Sequence, residues 1–271
     1  MIYSIAAENS CGRARLTLGR GRGEAPGVTE EMREKMERGL ALFDLDGTLI
    51  AWDTQMLFCD HVVRREGWRR AYLGFFAAFV PAAKILGDEG MKRVFLSYLW
   101  RADHAKIEGW ARDFVAEFFP ARCYEVMLEK LQRHRDAGHL TVLASASPEF
   151  YAKEVGRVLG FDLALGTPVE WLGAMPLLPE LRNHKGAEKV RRLSEIIGAP
   201  PEGVWPRSHG YSDSSADLPM LECCEENTLV NPSPKLTAIG EARGWEIQRP
   251  AKPWSGKAGH AREVLRRVTG L

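Results

Sequence analysis

Residues 40–48 read Leu40-Ala41-Leu42-Phe43-Asp44-Leu45-Asp46-Gly47-Thr48. An apolar run that stops abruptly in a polar turn containing glycine is the pattern of a short strand buried on both faces, followed by the loop at its carboxyl end. The same pattern returns at His139-Leu140-Thr141-Val142-Leu143-Ala144, which stops at Ser145-Ala146-Ser147-Pro148, with a helix expected from Glu149. Phe161 to Leu165 predicts a third strand, Gly203-Val204-Trp205 opens a strand region that ends before Asp213, and Thr228 to Val230 predicts a last strand. Helices are expected from a Thr29 cap, over Tyr124 to Arg135, over Lys185 to Ile197 and over Leu218 to Cys224. Pro168, Gly173, Pro176 and Pro179 make residues 167–183 a short hairpin or an irregular loop. Strands alternating with helices imply an α/β fold with a parallel sheet. In such sheets ligands bind outside the carboxyl ends of the strands. Asp44, Ser145 and Asp213 each fall just past a predicted strand, so they are expected on one edge.

The 271 residues suffice for one large domain or for a domain with a sizeable insertion. Lys and Arg number 37 against 36 Asp and Glu, so no global field draws the protein to nucleic acid, and no nucleic-acid partner is expected. Cys11, Cys59, Cys123, Cys223 and Cys224 form no C-x-x-C pair, which argues against a zinc site and a disulfide framework and fits a reducing cytoplasm. Met1 to Ala7 lacks a basic start and a long apolar core, so no signal peptide is expected. Residues 1–28 read as a disordered leader, with order beginning near Thr29.

Two carboxylates at i and i+2 around a turn, Asp44 and Asp46, can divide the work of attacking an electrophile or binding a metal and of moving a proton. Gly47 permits the sharp turn, and Thr48 offers a hydroxyl to the loop or to a phosphate. In Gly210-Tyr211-Ser212-Asp213-Ser214-Ser215-Ala216-Asp217, the two acids are four apart and flank a strand end and the next helical turn. A third carboxylate near Asp44 makes an oxygen-rich site suited to magnesium (Mg2+). The Ser145 hydroxyl and the N–H groups of Ala146 and Ser147 can cradle a phosphate at a helix N-terminus. Lys185 stands at a helix start, where the dipole disfavours a cation. Taken singly, each group also fits an acidic turn, a helix cap or a solvated lysine.

In order and in kind, the four groups resemble the motifs of the haloacid dehalogenase superfamily: Asp44 to Thr48, then Ser145, then Lys185, then Gly210 to Asp217. The resemblance spans roughly residues 38–235 and implies a Rossmann-like three-layer parallel sheet with an inserted all-helical cap domain. The expected division is a core of residues 29–52 and 131–271 and a cap of residues 53–130. The implied mechanism has Asp44 attack phosphorus and Asp46 first protonate the leaving oxygen and then activate water. Mg2+ is implied at Asp44, the Asp46 carbonyl and Asp213, with Asp217 supporting the metal or Lys185. Thr48, Ser145, Ala146 and Lys185 are the implied phosphate-binding residues. An acid at position 46 points to a phosphatase or a phosphomutase; a phosphoryl transferase and a non-catalytic phosphate-binding protein stay open as alternatives.

The cap position and the Gly-Tyr-Ser-Asp-Ser segment resemble the phosphoserine-phosphatase-like branch, subclass IB. Asp53 falls where those enzymes carry a glutamate that reads the substrate amine, which makes it the specificity candidate. The chain departs from that branch in having Ser145-Ala146-Ser147 in place of Ser-Gly-Gly. Ala71 to Gly87 is apolar except for Lys84, and Arg64, Arg65, Trp68, Arg69 and Arg70 precede it. The run is short for a membrane span. It suits either a buried cap helix or a segment lying in a membrane interface. This arrangement is similar to phosphatidylglycerophosphatase C enzymes, lipid phosphate phosphatases of the same branch. The expected partners are therefore a phosphorylated small molecule, phosphoserine-like, or a lipid phosphate. The expected location is cytoplasmic, with residues 64–87 as the candidate for peripheral contact at the inner membrane face.

Overall fold

The computed structural model describes residues 29–256 and 259. The leader expected over residues 1–28 and Cys11 lie outside the described residues. The strands are β1 (Leu40–Phe43), β2 (Leu140–Pro148), β3 (Leu163–Thr167), β4 (Val169–Glu170), β5 (Glu180–Leu181), β6 (Trp205–Ser212), β7 (Cys224–Val230) and β8 (Glu246–Gln248). Six of them form one sheet in the order β3-β2-β1-β6-β7-β8, and every neighbouring pair is parallel. β4 and β5 form the antiparallel hairpin expected in the proline-rich stretch.

All four residues of β1 are buried, as a central parallel strand requires. They alternate between two apolar clusters: Leu40 and Leu42 feed one, Ala41 and Phe43 the other. Phe43 stacks on Tyr211 with ring centroids 4.2 Å apart, across the β1–β6 register pair. The chain runs from β1 outward to β2 and β3 and then returns to β6 on the other side of β1. The carboxyl end of β1 is therefore the switch point where such sheets open a crevice.

The helices are α1 (Glu30–Arg38), α2 (Thr54–Arg65), α3 (Ala71–Phe79), α4 (Ala83–Phe95), α5 (His104–Phe118), α6 (Glu125–Asp136), α7 (Glu149–Leu159), α8 (Ala187–Ile197), α9 (Leu218–Leu221) and α10 (Pro234–Ala242). Thr29 caps α1 by accepting from the Met32 amide at 3.3 Å. The insertion between β1 and β2 is helical, but it is not a detached lobe. Phe58 of α2 and Phe114 of α5 meet Tyr151 of α7 at 5.0 and 5.6 Å, inside the same cluster as Phe43. The expected boundaries at 53 and 130 thus cut through continuous core. Within the insertion, the long stretch with no buried member is residues 70–93.

Three expectations shift. β3 begins at Leu163 because Asp162 is used outside the strand, where its carboxylate accepts from the Thr141 amide and hydroxyl. The helix after Asp217 ends at Leu221, and β7 starts at Cys224. Glu225 and Glu226 hide that strand start: both are exposed, and Glu225 bonds to the Arg207 amide across the irregular β6–β7 pairing. β8 was not anticipated; it is an edge strand of three residues with no apolar run.

Phe43→Ala should cost about 3–5 kcal/mol, because it opens a cavity under the site and removes the Tyr211 stack. Urea unfolding of the variant checks this, and a loss under about 1 kcal/mol would show that the layer collapses around the gap.

Candidate active site

Asp44 follows the last residue of β1, and its amide donates to the Tyr211 carbonyl of β6 at 3.0 Å. Its carboxylate Oδ1 accepts from Lys189 Nζ at 2.7 Å, and Asp217 Oδ1 lies 2.8 Å from the same ammonium. The Lys189 side chain is 1% exposed. Burial disfavours its charge, but Asp217 and Asp44 outweigh burial and hold the ammonium well above the usual lysine range. Asp217 is itself fixed by the Ser212 hydroxyl at 2.7 Å. Thr48 Oγ donates to Asp44 Oδ2 at the long distance of 3.4 Å, so its hydroxyl faces the nucleophile candidate.

This corrects the assignment of Lys185. Lys185 Nζ instead pairs with Asp88 of α4 at 2.5 Å, with its side chain 45% exposed. The physical reason is helical phase. Lys189, Leu193 and Ile197 lie at steps of four and form the buried face of α8, whereas Lys185 precedes the helix. A lysine in phase with an apolar stripe was the available signal.

Asp46 lies one turn further along the loop. Its Oδ1 accepts from the Thr54 amide and its Oδ2 from the Ser147 hydroxyl, both at 2.6 Å. Thr54 Oγ is also within 2.9 Å of Ser147 Oγ. Gly47 has φ +78°, and a Cβ there would lie 2.2 Å from Asp213 Oδ2. The missing side chain thus permits both the turn and the approach of Asp213.

Ser145 is buried, and its hydroxyl accepts from the Ser147 amide at 3.0 Å. That N–H is therefore already bonded within the loop and is not directed outward as the phosphate cradle required. The Ser145 carbonyl lies 2.9 Å from His184 Nδ1, so the imidazole pins the loop from below. The Ala146 carbonyl is held by Lys92 Nζ at 2.6 Å and by Thr167 Oγ at 2.5 Å. Lys92 comes from α4 and also donates to Asn183 Oδ1. Burial lowers its ammonium to about 8. No feature of the sequence around Lys92 or His184 marks them, because their partners lie far away in the chain.

A cavity of about 650 Å³ opens beside Asp46, lined by Asp53, Lys92, Ser147 and Lys185 on its polar side and by Met56, Leu73, Phe76, Met91 and Phe95 on its apolar side. Asp53 caps α2, accepting from the Met56 amide at 3.0 Å, and lies on the cavity wall.

The carboxylates outnumber the charges that offset them. Burial first, and then Asp217 and Asp46, push Asp213 up to about 7. Burial also pushes Asp44 well above the usual carboxylate range, with Lys189 opposing and Asp217, Asp213 and Asp46 adding to it. A cation at this edge would relieve that excess. Among the described residues no three His, Cys, Asp or Glu side chains are gathered as a metal site. Asp44 and Asp213 with the Asp46 carbonyl would offer an oxygen-only donor set, which fits a hard divalent cation.

The haloacid dehalogenase-like hydrolase family model matches residues 41–222. The phosphoserine phosphatase SerB1 of Mycobacterium tuberculosis H37Rv is 30% identical over 77% of this chain and 70% of its own length. The histidinol-phosphatase of Neisseria meningitidis serogroup C is 25% identical over 78% of this chain and 98% of its own. Among solved structures, a protein of unknown function from Bordetella pertussis Tohama I superposes with a TM-score of 0.67 at 26% identity, covering 78% of this chain and 98% of that one.

Lys189→Ala should lower kcat/KM for phosphate release by about a thousandfold or more. Lys185→Ala should lower it by less than about tenfold, since Lys185 is half in water. Equal losses in the two variants would return the role to Lys185. A second expectation concerns His184. Burial lowers its imidazole to about 4, and its Nε2 has no partner. The unfolded imidazole binds a proton below about 6.5 while the folded one does not, so stability falls as pH drops from about 6.5 to 4, by roughly 3 kcal/mol at most. Urea midpoints at pH 7 and 5 should differ less in His184→Asn than in the wild type; an equal pH dependence would remove His184 as its source.

Proposed function

We propose that this chain, which belongs to the haloacid dehalogenase-like hydrolase family and to its phosphoserine-phosphatase-like branch, hydrolyses phosphomonoesters through a phosphorylated Asp44, with magnesium bound beside it. The observation that carries the reading is the buried Lys189 ammonium between Asp44 and Asp217, with Asp46 and Asp213 on the same edge. Lys189 anchors Asp44 Oδ1, leaving Oδ2, held only by the long Thr48 contact, as the attacking atom. Attack forms the Oδ2–P bond and breaks the bond from phosphorus to the ester oxygen. Asp46, on the cavity wall, gives a proton to that leaving oxygen. In the second step the Asp46 carboxylate takes a proton from water, the water oxygen bonds to phosphorus, and phosphate leaves with Asp44 regenerated. Ser147 and Thr54 hold Asp46 in place for both transfers. Magnesium held by Asp44, Asp213 and the Asp46 carbonyl would supply positive charge against the phosphoryl oxygens.

The cavity supports a leaving group with a substantial apolar part, since Met56, Leu73, Phe76, Met91 and Phe95 face it. A lipid phosphate such as phosphatidylglycerophosphate is the fullest form of that class. A small phosphorylated amine is the second reading, favoured by Asp53 on the wall and by relatives named for phosphoserine and histidinol phosphate.

Phosphate release from phosphoserine, histidinol phosphate and phosphatidylglycerophosphate, measured side by side, separates the readings. Asp44→Asn should abolish release from any of them while unfolding like the wild type, and EDTA should stop the reaction until magnesium is restored. Turnover by Asp44→Asn, or activity indifferent to EDTA, would remove the nucleophile or the metal from the mechanism.

A further inference from the structure

Residues 70–93 depart from the pattern that governs the rest of the chain. Ala71 to Gly87 carries one charge, Lys84, yet nothing in the stretch is buried. None of the nine residues of α3 is fully buried, although Tyr72, Leu73 and Phe76 rest against the core. The helical stretch Gly67–Leu99 holds an 18-residue window of mean hydropathy 1.3 with 0% of it buried. Trp68 is 53% exposed, Val80 50% and Ile85 89%. A helix apolar on every side belongs in a core or in a membrane. A continuous apolar patch facing water marks a docking surface.

The stretch Gly67–Leu99 has the length and composition of a span, but its helices are broken. α3 is about 14 Å long at 1.5 Å per residue, against a hydrocarbon core of about 30 Å. The turn Val80–Ala82 contains Pro81, and Gly87 at φ +65° interrupts α4. Both ends are fastened to the body of the protein. Arg69 is buried and donates to the Tyr98 and Trp100 carbonyls at 2.6 and 2.9 Å. Arg93 donates to the Pro179 carbonyl at 3.0 Å and pairs with Glu180. The hairpin between these fastenings is thereby placed to lie along a surface.

Charge around the patch selects the surface. Arg64, Arg70, Lys84 and Arg101 are exposed around it, and among the described residues Arg70 and Lys84 pair with no acid. Of the neighbouring acids, Glu66 pairs with Arg69 and Lys106, Asp60 with Arg64 and Asp88 with Lys185, while exposed Glu89 accepts from the Asn183 amide. An apolar face fringed by cations complements anionic headgroups over acyl chains.

We propose that residues 68–86 dock on an anionic lipid bilayer. Trp68, Val80 and Ile85 enter the interface, and Arg70, Lys84 and Arg101 lie against the headgroup phosphates. The inner side of the same hairpin lines the cavity with Leu73, Phe76, Ala77 and Met91. Docking therefore sets the cavity wall against lipid, and the substrate is an amphiphilic phosphomonoester drawn from the bilayer. That last step rests on the phosphatase reading above; the docking does not.

Co-sedimentation with phosphatidylcholine vesicles, with and without phosphatidylglycerol, tests it on the full chain. The wild type should bind the phosphatidylglycerol vesicles and release in high salt. Val80→Glu with Ile85→Glu should cut vesicle partition by about tenfold or more, and Arg70→Glu with Lys84→Glu by a similar factor. Both pairs should keep the wild-type circular dichroism and the wild-type rate on soluble p-nitrophenyl phosphate. Asp44→Asn should bind vesicles as the wild type does, so a failed mechanism and a failed docking surface give different results. Wild type that ignores phosphatidylglycerol, or glutamate variants that bind undiminished, would overturn the proposal. So would a wild-type dimer in light scattering that Val80→Glu with Ile85→Glu dissociates while no vesicle binds, which would assign the patch to a second copy.

Discussion

Lys189 carries its ammonium where almost no water reaches, between the carboxylates of Asp44 and Asp217. Moving one such charge out of water costs several kcal/mol, and the cost is offset only when the partners are close and well placed. Here they are, because each comes from a different rigid element. Asp44 follows β1, Asp217 is fixed by Ser212 at the end of β6, and Lys189 stands in the first turn of α8. The triad can therefore exist only once the sheet has brought β1 and β6 side by side and α8 has packed its Leu193 and Ile197 against them. It ties the chemistry of the site to completion of the core.

A second set of bonds ties the inserted helices to that edge. α4 sends Asp88 to Lys185, Glu89 to the Asn183 amide, Lys92 to the Ala146 carbonyl and Arg93 to the Pro179 carbonyl. Four contacts from one helix face meet residues 179–185 and the end of β2. They position the cavity wall over Asp46 and restrict water from the space where a leaving group would sit. Lys92 matters most among them. It is half-buried, and it touches the backbone of the loop whose Ser147 hydroxyl holds Asp46. A change in the position of α4 would therefore bear on Asp46, the carboxyl proposed to move the proton.

What could be read from the chain followed periodicity and local turns. β1 and β2 announced themselves because a strand buried on both faces is an uninterrupted apolar run, and their end loops named Asp44, Asp46 and Ser145. The start of β7 and all of β8 did not, since Glu225, Glu226 and Glu246 put charge on strand residues near an irregular pairing and an open edge. The lysine was misplaced by four residues because a motif gives order without depth, and only the buried stripe of α8 separates Lys185 from Lys189. Lys92 and His184 were invisible because their roles are set by tertiary neighbours, Ala146 and Ser145, that no local pattern encodes.

α3 carries the tightest constraint of all. Its nine residues line the cavity with Leu73, Phe76 and Ala77 and, on the docking proposed above, would present the rest to lipid. A helix that serves a core on one side and water on the other shows a polar stripe, and α3 has none. Phe75 and Phe79 pack on each other with centroids 5.0 Å apart, and Phe76 meets Phe95 at 5.2 Å. The Phe76–Phe95 contact is one place where α3 rests against the core. The shape of the cavity and the character of the outer surface are consequently not independent properties of this chain. Selection on what enters the cavity acts through the same nine residues that face outward.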